Sequence, residues 1–190
     1  MAPALALCLA LGAAPAAPPP PPPSFGFDLL PTEPAPAADE GLARALRRRR
    51  TMLELHQGFG IATVALMAAT VLVGQLSYSD RFSGGPATGR WELPHAELEA
   101  GTVVSFATAG LLALLAPVPI PKKSEGIDSV TVHKWSMLAA TIGMASEVLL
   151  GILTVSREGF ANQASLATTH LVIGYATAGA MATGVGALFF

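Results

Sequence analysis

Sulfur and charge are what this sequence has least of. Cys8 is the single cysteine in 190 residues. That excludes a disulfide framework, thiolate metal clusters and the C-x-x-C-H attachment of a c-type haem. Any cofactor must be held without covalent bonds or thiolates. Charged residues make up 13% of the chain against 52% apolar, with a mean hydropathy of +0.52. A soluble domain carries about 25% charged residues, so the deficit points to lipid as the solvent. The formal net charge is −2 and no basic tract carries aromatic residues at regular intervals, so nucleic acid is not an expected partner. The length suits one domain rather than two.

Proline is abundant but confined. Eleven of the sixteen prolines precede residue 37, including the unbroken run Pro18 to Pro23. Such a run is an extended spacer with no core to bury, and residues 18–50 are expected to be a disordered Pro-rich linker followed by a basic flank. Ahead of it, Ala4 to Ala14 is too short to span a bilayer and resembles the h-region of a signal peptide, with Ala14 and Ala16 suiting cleavage within residues 1–17. No Lys or Arg precedes that stretch.

From residue 51 the character changes. Four apolar segments follow, near 52–78, 95–116, 131–155 and 166–190, each reaching the ~20 residues that cross a hydrocarbon core. Pro117, Pro119 and Pro121 end the second. The joining loops are short, which predicts antiparallel neighbours and an all-α, up-down-up-down transmembrane bundle. Gly, Ala, Ser and Thr are frequent in the segments, and such residues let membrane helices pack closely. One side carries Arg44, Arg47, Arg48, Arg49, Arg50, Lys122, Lys123 and Lys134; the other carries Arg81, Arg90 and Arg157. The positive-inside rule puts the first side, with both termini, in the cytoplasm. A cleaved signal peptide would place the new amino terminus outside instead. The expected location is a multi-pass protein of a bacterial inner membrane.

The chemistry lies in the four histidines of the chain: His56, His95, His133 and His170. They are spaced by 39, 38 and 37 residues (95 − 56, 133 − 95 and 170 − 133), one near the start of each segment. In a bundle of alternating helices, His56 and His133 fall near one face and His95 and His170 near the other. Each level then holds two imidazoles on diagonal helices. A structural zinc site wants four ligands and a catalytic one three, so two per level supply neither. Haem iron brings four porphyrin nitrogens and asks only for axial ligands. The ligand count fits two non-covalent b-type haems, His56 with His133 and His95 with His170.

Fourteen residues make about four helical turns, so positions 14 beyond each histidine share its inward face. They are Thr70, Ala109, Glu147 and Gly184. Gly60 and Gly174 stand one turn beyond two of the histidines, where a flat ring needs room. These small residues also serve plain helix packing. Glu147 lies at the depth of His95 and His170. It is placed to accept the second N–H of an axial histidine, to carry protons to a bound quinol, or to sit protonated against Ser or Thr. The arginine run, with Lys122, Lys123 and Lys134, forms either a basic mouth for an anionic redox partner or a contact with anionic headgroups.

The segment 51–190 resembles the cytochrome b561 family. The resemblance rests on the order of the histidines and on the strings LHQGFG at His56, VHKWSM at His133 with EVLLG further along, and THLVIGY at His170. The string PHAELEAGTVV at His95 is the least typical. Family members often have six helices rather than four, and the ascorbate-site sequences of the family are absent. The resemblance implies two haems held in a one–three and two–four pattern and single-electron transfer across the membrane. The donor and acceptor are then a separate small molecule, such as a quinol, or a redox protein. No flavin or nicotinamide domain is expected, and a homodimer is compatible with the pattern. The alternative is a haem-free four-helix membrane scaffold whose histidines sit at the interfaces. A further possibility keeps one haem only.

Overall fold

The computed structural model describes residues 39–118 and 128–189. The stretch expected to be a signal peptide, most of the expected proline-rich linker, and Pro119, Pro121, Lys122 and Lys123 lie outside the described residues. Four α-helices and no strand occur among the described residues: α1 (Glu40–Phe82), α2 (Glu92–Leu114), α3 (Ser129–Ser156) and α4 (Gln163–Gly186). Three of them, α1, α2 and α3, are long and apolar enough to cross a membrane. At 24 residues α4 is as long as α2, but it is richer in Ala, Gly and Thr than in large aliphatics.

The first helix starts before the expected span. Its 43 residues extend about 65 Å at 1.5 Å per residue, roughly twice a hydrocarbon core. Asp39 caps it by accepting from the backbone N–H groups of Gly41 and Leu42. Ala, Leu and Arg favour helix, so the basic stretch up to Arg50 is a helical extension rather than a coil flank. The helix stops where Gly84 and Gly85 take φ of 91° and 95° ahead of Pro86, a left-handed backbone that only glycine adopts without strain. Pro94 falls in the first turn of α2, where a missing N–H costs nothing. Asp128 caps α3 through Thr131 N at 2.7 Å, and the Thr131 side chain, together with that bond, holds its carboxyl below the usual carboxylate range.

Packing is closest between α1 and α2 and between α3 and α4; α4 also leans on α1. Contacts run in opposite order along each close pair. On α1 and α2, Thr63 meets Ser105, Thr70 meets Thr102 and Gly74 meets His95. On α3 and α4, Ser136 meets Gly184, Gly143 meets Thr177 and Glu147 meets Gly174. Both pairs are therefore antiparallel. The interior is made of small and flexible side chains: Met67, Ala140, Met144 and Met181 form the apolar core, with Thr63, Thr102 and Thr177 buried beside them. Each of these three hydroxyls returns to the carbonyl four residues earlier, so none of the three is left bare. The large apolar residues point the other way. Ile61, Leu72, Ile142, Ile152 and Val172 are all more than half exposed. An outward aliphatic shell over a small, hydroxyl-bearing interior is the arrangement of helices packed in lipid, where so large an apolar surface is not exposed to water.

Candidate functional site

The antiparallel pairs bring the four histidines together two by two. His56 on α1 faces His133 on α3, ring centroids 6.1 Å apart and planes at 85°. His95 on α2 faces His170 on α4, centroids 5.9 Å apart and planes at 76°. Along α1, His56 and Thr70, which stands beside His95, are fourteen residues apart, placing the levels about 21 Å apart along that helix.

At the first level both rings are fixed by backbone. His56 Nδ1 lies 2.8 Å from the Ala109 carbonyl oxygen, and His133 Nδ1 lies 2.8 Å from that of Gly184. A carbonyl can only accept, so each Nδ1 donates, and in the neutral ring Nε2 is then the nitrogen with the free lone pair. The Gly184 carbonyl is reachable because α3 and α4 pack closely there: a Cβ on Gly184 would lie 2.9 Å from Ser136 Cβ. Thr70, Ala109, Glu147 and Gly184, one per helix, are all buried. Two of their carbonyls hold the first histidine level, and those of Thr70 and Glu147 stand beside His95 and His170. At this second level, however, neither Nδ1 closes a hydrogen bond.

Acidic groups distinguish the second level. Glu147 Oε2 lies 3.1 Å from His170 Nδ1 but off the N–H axis, so the two atoms are neighbours rather than a hydrogen-bonded pair. Glu147 Oε1 also lacks a partner, although the residue is only 8% exposed. Glu99, one turn beyond His95 on α2, brings a carboxylate oxygen within 4.8 Å of the ligand nitrogens of both histidines. Glycines make the space. A Cβ on Gly74 would lie 2.7 Å from His95 Cε1, and one on Gly174 would lie 3.1 Å from Glu147 Oε2. A Cβ on Gly60 would touch nothing within 4 Å, so that glycine leaves open room beside His56 rather than a tight fit.

A cavity of about 880 Å³ surrounds this level, lined by all four helices and including His95, Glu99, Glu147, His170 and Arg81. It lies where α2 and α3 do not pack closely. Arg81 is bound to both Glu92 and Glu158, tying α1 to α2 and to the loop after α3.

The ring separations at both levels leave room for a metal between the histidines, and a cavity that a macrocycle needs is seen at the His95–His170 level. Two metal–nitrogen bonds of about 2 Å, with about 1.2 Å from each nitrogen to its ring centre, would put the two imidazole centres about 6.4 Å apart. Both pairs are close to that. The second cavity is large enough for a flat macrocycle, since sites of roughly 300–1,000 Å³ hold sizeable ligands. One group stands in the way: the Glu99 carboxylate occupies the approach to the His95–His170 midpoint and must turn aside to admit a ring. Sequence reasoning did not single out Glu99, although its place four residues after His95 put it on the same helical face. Gly74 was also missed, and a glycine within an apolar helix carries no signal of the ring it accommodates. Comparison with family models, curated proteins and solved structures returns no match.

Proposed function

We propose that this chain is a four-helix, di-haem b-type cytochrome that carries single electrons between the two faces of a membrane. His56 and His133 would hold one haem and His95 and His170 the other, in the manner of the cytochrome b561 family. In this reading all four helices cross the bilayer up-down-up-down, with α4 shielded enough by its neighbours to cross despite its lower hydropathy. The observation that carries the proposal is the pairing itself. Four histidines, the whole complement of the chain, meet as two diagonal pairs whose ring separations suit a metal between them.

When bound, the haem supplies a one-electron couple; the chain supplies everything else. His56 with His133, and His95 with His170, would each hold a haem from both sides, so that it would supply electron transfer rather than dioxygen binding. At the first level the Ala109 and Gly184 carbonyls hold Nδ1 of each ring, which leaves Nε2 as the atom that would meet the iron. The aliphatic shell keeps water from the centres. The charge count favours a cytoplasmic first level, and the donor and acceptor would be a quinol or a redox protein. A bacterial inner membrane suits this topology. Haem content of the purified protein tests the proposal: two b-type haems per chain support it, and a colourless protein expressed with ample haem returns the chain to a scaffold role.

One observation favours a second reading of the second level. His95, Glu99 and His170 form a two-histidine, one-carboxylate set, a donor group that also suits a divalent transition metal with open positions. In that case the chain holds one haem and one non-haem ion, and metal analysis alongside the haem assay separates the readings.

A further inference from the structure

We propose that Arg44, Arg47 and Arg48 form a binding face for the headgroups of anionic phospholipids, in the leaflet beside the His56–His133 level. The inference rests on the membrane-spanning part of the proposed function and is independent of haem. The neighbours of α1 stop or start near one level: α2 ends at Leu114, α3 begins at Ser129 and α4 ends at Gly186. Only α1 runs on, and Arg49 marks the level by donating to the Pro117 carbonyl at 2.6 Å. The aliphatic shell also ends here, with Leu114, Leu115 and Val118 all exposed. Arg48, Arg47 and Arg44 precede Arg49 by one, two and five residues, which keeps all three within about 8 Å of it along the helix. The headgroup layer beyond the hydrocarbon core is roughly 5–8 Å deep on each side. The three arginines therefore stand at the depth of the headgroups.

Their direction is set by the helix period. Arg49, His56, Thr63 and Thr70 recur at seven-residue steps and trace the inward side of α1, where Arg49, Thr63 and Thr70 bond to Pro117, Ser105 and Thr102. At about 100° per residue, Arg48, Arg44 and Arg47 lie about 100°, 140° and 160° from that line. All three are exposed, and their i, i+3, i+4 spacing gathers them into one patch. The patch overhangs the lipid around the bundle rather than the bundle's end. Among the described residues none of the three enters an ion pair, whereas Arg50 is bound to Glu54. The nearby acids, Asp39 and Glu40, sit a turn beyond Arg44 at the helix start, where they complement the helix dipole. Guanidinium groups bind phosphate through paired N–H donors, and an anionic leaflet attracts basic residues beside a span. An acidic soluble redox protein suits the patch less well, because the arginines face away from the His56 side that such a partner would have to approach.

The test titrates the full-length protein, in neutral detergent, with phosphatidylglycerol and separately with phosphatidylcholine, bound lipid being counted per chain by native mass spectrometry. The expected result is a site that prefers phosphatidylglycerol. Arg44→Gln, Arg47→Gln and Arg48→Gln should each weaken it about fivefold, the share of one arginine near an anionic surface. The triple variant should bind the two lipids alike. Glutamine keeps the helix propensity, and Arg90→Gln, at the far end of the bundle, should leave the site in place. Equal binding of the two lipids by the parent, or a preference that survives in the triple variant, overturns the inference and leaves the membrane-spanning reading intact. A poly-glutamate peptide that binds more tightly than phosphatidylglycerol also overturns it, and makes the patch a dock for a soluble acidic partner. Glycerol 3-phosphate binding as tightly as the lipid overturns it in favour of a simple phosphate site. A chain released from its membranes by alkaline carbonate overturns the membrane-spanning reading and the inference with it.

Discussion

On the di-haem proposal, adding one methyl group at Gly74 should cost the protein half of its bound haem. The Cβ of an alanine there would lie 2.7 Å from Cε1 and 3.0 Å from Nδ1 of His95. Carbon atoms rest about 3.5–4 Å apart, so the imidazole must retreat by about 1 Å or the two helices must part. Overpacking of this kind costs about 1–3 kcal/mol. Better helix propensity of alanine over glycine returns about 1 kcal/mol, so the fold should survive. Ligation is less tolerant, because the His95 and His170 ring centroids are held 5.9 Å apart and a displacement near 1 Å takes one nitrogen out of bonding range. Since each 1.4 kcal/mol is a factor of ten, haem affinity at this level should fall roughly ten- to a hundredfold. Gly179→Ala is the control: it sits on an exposed face of α4 where a Cβ meets nothing within 4 Å. The assay is a pyridine haemochrome determination on protein purified under limiting haem. The expected values are near one haem per chain for Gly74→Ala and near two for Gly179→Ala and the parent. Two haems in Gly74→Ala, with an unchanged spectrum, would refute the claim that Gly74 provides the space for His95 as a ligand.

Other outcomes follow from the same geometry. His133→Ala should remove one haem and spare the second, read as half the reduced-minus-oxidised amplitude; loss of both would mean the levels do not bind independently. Arg81→Gln should weaken thermal stability by no more than about 1 kcal/mol, because exposed ion pairs contribute little, and the loss should shrink in high salt; a larger drop would mark Arg81 as part of the site rather than a tie between helices. Asp128, whose carboxyl is held low by Thr131, stabilises the start of α3 only while ionised. Its contribution is therefore present above the ordinary carboxylate value of about 3.9 and lost as pH falls through its lower folded value, so Asp128→Asn should flatten the acid limb of a melting-temperature profile. A tag fused after Phe190 should resist protease in intact spheroplasts if α4 crosses the membrane and the carboxy terminus is cytoplasmic; digestion would reverse the orientation.

What the sequence displays and what it hides divide along physical lines. Helices were legible because 20-residue apolar runs bounded by Pro117 or by Gly84-Gly85-Pro86 permit little else in lipid. The meeting of His56 with His133 and of His95 with His170 could be anticipated because short loops restrict how four helices alternate. The fourteen-residue spacing pointed to Thr70, Ala109, Glu147 and Gly184, all of which are buried, because 3.6-residue periodicity survives folding intact. The extension of α1 back to Glu40 was hidden, since an arginine run marks topology and only the Asp39 cap marks the start. Glu99 was hidden because it follows Glu92 and Glu97 near the start of α2 and resembles one more surface acid of that helix; only the approach of α4 with His170 turns it into part of a cluster. Glycine roles were the least legible. Gly60 and Gly174 look alike in sequence, yet one faces open room and the other presses on Glu147, a difference made entirely by the neighbouring helix.

The central claim is tested most directly by the reduced-minus-oxidised visible spectrum of the detergent-purified protein, with haem counted per chain. The account predicts a b-type spectrum and two haems per chain, reduced to one when either histidine pair is broken. A colourless protein, purified from cells supplied with haem, would contradict it.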